Sequence, residues 1–452
     1  MGHSRPDLTP HVARFRDELF EFLRIPSVSA RAERGGDTRR AAEWVAEALQ
    51  RAGLEAEVAE TGGHPVALGE WRGAGPGAPT LLVYGHYDVQ PAEPLELWTS
   101  APFEPELRDG RIYARGAADD KGQVFLHLKA LELLLADGGT LPVNVVVLIE
   151  GEEEIASPNL LTFVESNRER LAADAVLVSD TAMFAPGVPA LVISLRGLAY
   201  FELRVRGTRA DLHSGTYGGA VPNAAAILVE ILSTLHDAHG HILIPEFYDR
   251  VAEWESEALH RLRELPFDDE TFREEAGAIA LSGEAGYSTL ERLWTRPTCE
   301  VNGLLAGYTG EGAKTVLPSH ALAKVSFRLV PDQDPKEVER LFRAHVARVA
   351  PAEVEVEVVP LHGGRPWRAS TEGPVFEAAR GALASVYGKE PVLIGDGASI
   401  PIVAGFERVL GTRCVLMGFG YPGANLHAPD EWFPDAQIEK GIASLLEFYR
   451  RL

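Results

Sequence analysis

Five short segments concentrate the side chains able to do chemistry: GHYDVQP (85–91), RGAADDKG (115–122), GEEEIAS (151–157), SDTAMF (179–184) and NLHAPDE (425–431). They supply His86 and Asp88, Asp119 and Asp120, the run Glu152 to Glu154, Asp180, and His427. Each has an ordinary reading by itself. His86 with Asp88 is a common strand-end pair, Asp119-Asp120 complements the dipole of a helix N-terminus, and a glutamate triplet is most often an exposed face. Together they call for more. Asp119, Glu153, Glu154 and Asp180 repel one another unless positive charge joins them. Divalent cations supply that charge, because Asp, Glu and His are ligands for zinc or manganese. The chemistry expected is metal-assisted.

The elements that must gather these segments follow from the hydrophobic pattern. Thr9-Pro10 reads as a cap followed by a first-turn proline, and Val12, Phe15, Leu19, Phe22 and Leu23 form one apolar stripe behind it. A second helix is expected over about 38–52. TLLVYG (80–85), VNVVVLIE (143–150) and AVLVS (175–179) are continuous apolar strands, alternating with helices over 122–138 and 159–172. That alternation indicates a mostly parallel sheet covered by helices on both faces. The chemical segments fall past the carboxyl ends of these strands or open a helix there, at the edge where open α/β sheets bind ligands.

Beyond about Leu195 the period changes to two. AYFELRVRG (199–207), AKVSFRLV (323–330) and EVEVEVV (353–359) alternate, with helices over 223–237 and 336–349. This β-α-…-β-α-β order predicts a small α+β, ferredoxin-like domain. A charged stretch, about 245–300, has no place in the pattern. The α/β style then returns with a helix at 374–387, a strand at RCVLMG (413–418) and a closing helix near 435–451. The expected fold is an α/β catalytic domain, residues 1–195 plus 366–452, interrupted by an inserted α+β domain, 196–365.

Composition narrows the partners. The 452 residues carry 43 Lys plus Arg against 66 Asp plus Glu, a formal net charge of −23. Such a surface repels phosphate backbones and anionic lipids, so neither nucleic acid nor a membrane is expected as a partner. No apolar run approaches the roughly 18 residues of a membrane helix. Only Cys299 and Cys414 occur, which excludes a disulfide framework and suits a reducing compartment. The N-terminus lacks a signal-peptide core and Pro6 breaks the myristoylation pattern, so a cytoplasmic protein is expected. His236, His239 and His241 cluster at a helix end without converging carboxylates. GYTGEGAKT (307–315) lacks the spacing of a phosphate loop.

The motifs YGHYDVQP, RGAADDKGQ, EGEEEIAS, VSDT, DLHSGTYGG, GYTGEGAKTVLP, SFRLVPDQ and NLHAPDE occur in that order nearly end to end. With them the chain resembles the di-zinc exopeptidase and deacylase superfamily of carnosinase-type dipeptidases, glutamate carboxypeptidase and succinyl-diaminopimelate desuccinylases, and the dipeptidase branch fits best. The resemblance implies that His86, Asp119 and Asp180 hold one metal and Asp119, Glu154 and His427 the other. Zinc is implied first, with manganese or cobalt as alternatives. It implies a metal-bridging hydroxide as nucleophile with Glu153 as general base, Asp88 orienting His86, and Asp120 serving the turn of Asp119. In the inserted domain, a lid and dimerisation element, His213 is implied to stabilise the oxyanion of a partner subunit, making a homodimer. Arg328 is implied to clamp the C-terminal carboxylate of a small peptide, with Thr315, Asn223 and Ser399 as further substrate contacts. A metal-dependent deacylase of N-acyl amino acids is the alternative. Two departures stand out: Gly395 replaces an arginine of the family's REGGSIP, and Ala156 replaces a glycine.

Overall fold

The computed structural model describes residues 7–75, 77–136 and 139–452. Pro6, on which the myristoylation argument rests, and the last two residues of the 122–138 helix lie outside them. The chain divides into two compact units. One comprises residues up to Ile193 with Ala369–Ile394 and Ile402–Leu452; the other comprises Ser194–Arg368 with Gly395–Pro401. The short return of GDGASIP to the second unit has no signal in the hydrophobic pattern.

In the first unit the predicted stripe forms α1 (Thr9–Leu23), with Leu8 rather than Thr9 at the cap position and Pro10 in the first turn. Phe22 stacks on Trp44 of α2 (Gly35–Arg51) at 4.3 Å between centroids. The strands are β1 (Glu55–Ala59), β2 (Val66–Trp71) and β3 (Thr80–His86), then, after α3 (Lys121–Leu135), β4 (Asn144–Glu150). After α4 (Leu160–Ser166), half the length its sequence suggested, come β5 (Ala175–Val178) and β6 (Ala190–Leu195). β4 is buried at six of its seven positions, as expected of a strand covered on both faces. α3 is buried from Lys121 to Leu131, polar Lys121, Gln123, His127 and Lys129 included, so over this stretch it is enclosed on every side instead of showing one exposed face.

The second unit runs β7 (Gly197–Arg206), α5 (Ala224–Ser233), β8 (Thr298–Ala306), β9 (His320–Leu329), α6 (Pro335–Val349) and β10 (Glu355–Gly364). Its four strands pair antiparallel in the order β8-β9-β7-β10. This is the β-α-β-β-α-β arrangement of a ferredoxin-like layer. Phe201, Leu203, Phe327, Leu228 and Phe342 fill the core between sheet and helices. The unplaced stretch 245–300 becomes three short helices, 256–263, 269–275 and 289–294, leading into β8. Strand β8 escaped the period-two reading because a register shift between Val301 and Gly303 interrupts its alternation.

The chain then returns to the first unit with α7 (Pro374–Tyr387), β11 (Arg413–Leu416) and α8 (Ala436–Arg451). The sheet of that unit runs β1-β2-β4-β3-β5-β11-β6. Its centre is parallel, while β1, β2 and β6, which the sequence pattern missed, pair antiparallel at the flanks.

Gly395, the position of the family arginine, is packed tightly. A Cβ there would lie 2.5 Å from Trp294 Cβ and 2.9 Å from Ser194 Oγ. Gly395→Ala is therefore expected to cost about 1–3 kcal/mol by overpacking, read as a fall of several degrees in melting temperature. An unchanged melt would contradict this packing.

Candidate metal centre and active site

The parallel register sets the site. β3 and β4 pair from Thr80↔Asn144 to His86↔Glu150, so they end level. β5 pairs with Leu81–Tyr84 and stops at Val178, two residues before Asp180. His86 is the last residue of β3, and Glu153 and Glu154 begin a tight turn just past β4. Asp119 and Asp120 precede α3, which is tied to α1 through Lys121, whose buried Nζ donates to the carbonyls of Ile25 (2.6 Å) and Phe22 (3.2 Å).

At this edge the side chains converge on Asp119. His86 Nε2 is 3.0 Å from Asp119 Oδ1 and 3.8 Å from Asp180 Oδ2. His427 Nε2 is 2.9 Å from Asp119 Oδ2 and 3.2 Å from Glu154 Oε2. One ligand atom per residue lies within 4.8 Å of the others in each triplet, His86–Asp119–Asp180 and Asp119–Glu154–His427. The two triplets share Asp119. His427 has a positive φ of 59°, an uncommon conformation for a residue other than glycine and one that functional loops hold. Its side chain is 54% exposed whereas that of His86 is fully buried, so the cluster is open on the His427 side.

Other polar groups fix these ligands. Asp88 does more than orient His86, whose Nδ1 is 3.1 Å from the Asp88 carbonyl and 3.4 Å from its carboxylate. The Asp88 carboxylate also accepts the backbone N–H groups of Glu153 (3.2 Å) and Glu154 (3.1 Å), holding the glutamate turn. Gln90 donates from its backbone N–H and its side-chain amide to the two oxygens of Glu154, at 3.1 and 2.8 Å. Asp120 accepts the backbone N–H of His86 at 3.3 Å. Buried Glu431 accepts from Arg115 Nη1 (2.8 Å) and from the backbone N–H groups of Gly116, Ala118 and Asp119 (3.0, 2.9 and 3.1 Å). The sequence reading assigned no role to Gln90, Arg115 or Glu431. Their signal was membership of the same motifs: GHYDVQP ends one residue past Gln90, RGAADDKG opens on Arg115 and NLHAPDE closes on Glu431.

The electrostatics show what the cluster lacks. Burial pushes the carboxyl of Glu153 well above the usual range; the charge of His86 pulls it back, while Asp119 and Glu154 raise it further. Asp180 is pushed up by burial and by Asp120, and Glu154 by burial and by Asp119. Burial raises Asp119 too, but hydrogen bonds from His427 and His86 outweigh it and hold this carboxyl low. Bonds to Asp119 and Glu154 raise His427 to about 10. Two imidazoles are too little positive charge for so many buried carboxylates, and Glu153, Glu154 and Asp180 are driven toward their neutral forms. Divalent cations fit the donor set and remove the conflict.

The second unit carries the remaining candidates. His213 Nδ1 accepts from the backbone N–H groups of Gly215 (3.0 Å) and Thr216 (3.2 Å), which leaves the proton on the other ring nitrogen as a donor. Thr315 acts through its carbonyl, which accepts from Ser214 N–H at 3.0 Å beside His213. Asn223 uses its side-chain oxygen to cap α5, accepting from Ala225 and Ala226 at 3.0 and 3.3 Å. Ser399 accepts from Arg328 Nη1 at 3.1 Å and donates to the Arg196 carbonyl at 2.5 Å. His241, from the histidine cluster, stacks on Tyr248 and pairs with Glu284. Ala156 sits at φ 70°, where glycine is unstrained, which accounts for the family's glycine at that position.

An α/β unit that gathers two carboxylate–imidazole triplets on one aspartate belongs to the metal-dependent hydrolases. Residues 82–451 match Peptidase family M20/M25/M40. The Cys-Gly metallodipeptidase dug1 of Schizosaccharomyces pombe is 32% identical, covering 97% of this chain and 95% of that protein. The M20 family metallo-carboxypeptidase Sso-CP2 from Sulfolobus solfataricus superposes with a TM-score of 0.87 at 36% identity, covering 96% and 98% of the two chains. Human carnosine dipeptidase 1 superposes with a TM-score of 0.86 at 30% identity and 99% coverage of both. The chain belongs to this peptidase family, whose members are dinuclear metal-dependent peptidases, and it is a metallopeptidase.

Glu431→Gln leaves too few acceptors for the four donors that hold the Asp119 turn. Metal affinity, measured by chelator competition, is expected to fall about 10- to 100-fold. Wild-type affinity in a folded variant would remove Glu431 from the positioning of Asp119.

Proposed function

We propose that the protein hydrolyses the peptide bond of dipeptides or short peptides that carry a free C-terminal carboxylate. The observation that carries this reading is the pair of ligand triplets sharing Asp119, with Glu153 in the same buried cluster. The dipeptidase and carboxypeptidase relatives support the substrate class. His86, Asp119 and Asp180 would hold one divalent cation, and Asp119, Glu154 and His427 the other, zinc first with manganese or cobalt able to replace it. Bound there, the cations supply Lewis-acid polarisation of the scissile carbonyl and a more acidic attacking water.

The chain's own groups do the rest. Glu153, held by Asp88 through its backbone N–H, takes the water's proton on a carboxylate oxygen and delivers it to the leaving amine. Arg328, held by Ser399, offers a planar fork to the substrate carboxylate. His213 donates from its free ring nitrogen to the developing oxyanion. We place that donation in a homodimer. The edge strand β8 has one neighbour and exposes Val301, Leu304 and Leu305, which supports pairing with a second copy. Cys299 and Cys414, both buried and unpaired, are consistent with a cytoplasmic location.

Glu153→Gln should retain two equivalents of metal while kcat falls by a factor of about 100 to 10,000. Undiminished turnover would remove Glu153 as the base. Arg328→Ala should raise KM far more for free-acid peptides than for the corresponding C-terminal amides, and equal effects on both would count against the clamp. Mixing His213→Ala with Glu153→Gln subunits should recover part of the activity in heterodimers. Complete failure of that rescue would contradict action across the dimer.

A further inference from the structure

The second unit encloses a cavity of about 540 Å³, within the range of roughly 300–1,000 Å³ typical of small-molecule sites. Facing it are four guanidinium groups, Arg196, Arg292, Arg296 and Arg328, against two carboxylates, Glu284 and Glu300. Arg296 and Glu284 pair with each other at 2.7 Å. Among the described residues no carboxylate comes within ion-pair distance of Arg196, Arg292 or Arg328. Arg292 is bonded to the carbonyls of Glu284 and Ser282. Arg196 Nε donates to the Gly397 carbonyl at 3.2 Å, and Arg328 Nη1 to Ser399 Oγ. In a chain whose net charge is −23, a cavity with unpaired guanidiniums runs against the rest of the surface.

Arg196 and Arg328 form a pair within that cavity. Strand register sets Arg328 opposite Leu198, so Arg196, two residues earlier, is its diagonal neighbour on the same side. Ser399 touches both residues, accepting from one side chain and donating to the other's backbone. Asp396 is felt by both guanidiniums and Glu300 by Arg196, but neither comes within ion-pair distance; Asp396 accepts from Ala398 N–H at 2.8 Å and does not line the cavity. Burial, and then the charge of Arg328, pull the Arg196 guanidinium down to about 10. Two half-buried like charges held side by side are unfavourable unless a ligand supplies the counter-charge. A single carboxylate on Arg328 leaves the Arg196 fork unanswered.

Building on the peptidase reading above, we infer that this cavity is a two-carboxylate subsite. Arg328 takes the substrate's α-carboxylate and Arg196 takes a second carboxylate on the same residue. The substrates cleaved best are then dipeptides ending in aspartate or glutamate.

The test compares kcat/KM for matched peptides ending in Glu and Gln, and in Asp and Asn, with wild-type protein, Arg196→Ala and Arg196→Lys. Wild type should favour the acids by about 10- to 100-fold, the worth of one charge-assisted hydrogen-bonded contact. Arg196→Ala should bring the acid-to-amide ratio to within about twofold of one. Arg196→Lys, which keeps the charge without the planar fork, should fall between. No acid preference in wild type, or a preference that survives in Arg196→Ala, overturns the inference while leaving peptidase activity on the amides intact. If no peptide is cleaved, the peptidase reading itself fails. The subsite is then judged by calorimetric binding of free glutamate against glutamine, where equal affinities overturn it.

Discussion

One carboxylate placed between two imidazoles organises this protein. Asp119 presents one oxygen to His86 and the other to His427, and through them it joins a strand end, a helix start and a late loop. Neither triplet exists without it. Burial opposes the charge of that carboxylate, and hydrogen bonds from the two imidazoles outweigh it. The surroundings answer with donors. Glu431 fixes the backbone before Asp119, Arg115 balances Glu431, and Asp88 and Gln90 hold the glutamate turn opposite. The resulting excess of negative charge is what a pair of divalent cations resolves.

The fold serves that constraint by ending its parallel strands level. Because β3, β4 and β5 share one register, the segments that follow them emerge at the same edge, and short tight turns suffice to aim His86, Glu153, Glu154 and Asp180 inward. Burial of most of β4 and of α3 as far as Leu131 packs the elements behind this edge closely. The second unit is built on a different plan, an antiparallel layer whose helices cover one face. It supplies the groups with affinity for anions and hydrogen-bond acceptors: His213 with a defined tautomer, and Arg328 beside Arg196. The ligand triplets and these donors thus lie in separate units of one chain.

Much of this was legible from sequence because it depended on local pattern. Continuous apolar runs specified β3, β4 and β5, and the motifs singled out in the sequence carry the five residues that the structure gathers into the two triplets. Of the flanking strands, β1 (EAEVA) and β2 (VALGEW) are short and partly polar, while β6 (ALVISL), an apolar run between Pro186-Gly187 and Gly197, was legible and overlooked. β8 was hidden by its register shift. The hydrogen bonds of Asn223 and Ser399 were not legible, because a residue type does not reveal whether a helix cap or a neighbouring arginine engages it. Glu431 was overlooked for a related reason. Its importance comes from four donors arriving from residues 115–119, a convergence that only the folded chain displays.

The most direct measurement is a titration of chelator-stripped protein with zinc, manganese or cobalt while hydrolysis of a dipeptide panel and an N-acyl amino acid panel is followed. Dipeptide cleavage should be absent without metal, rise as cation is added through the second equivalent, and exceed cleavage of the acyl compounds. Full activity in stripped protein, or a preference for acyl amino acids over dipeptides, would contradict the account.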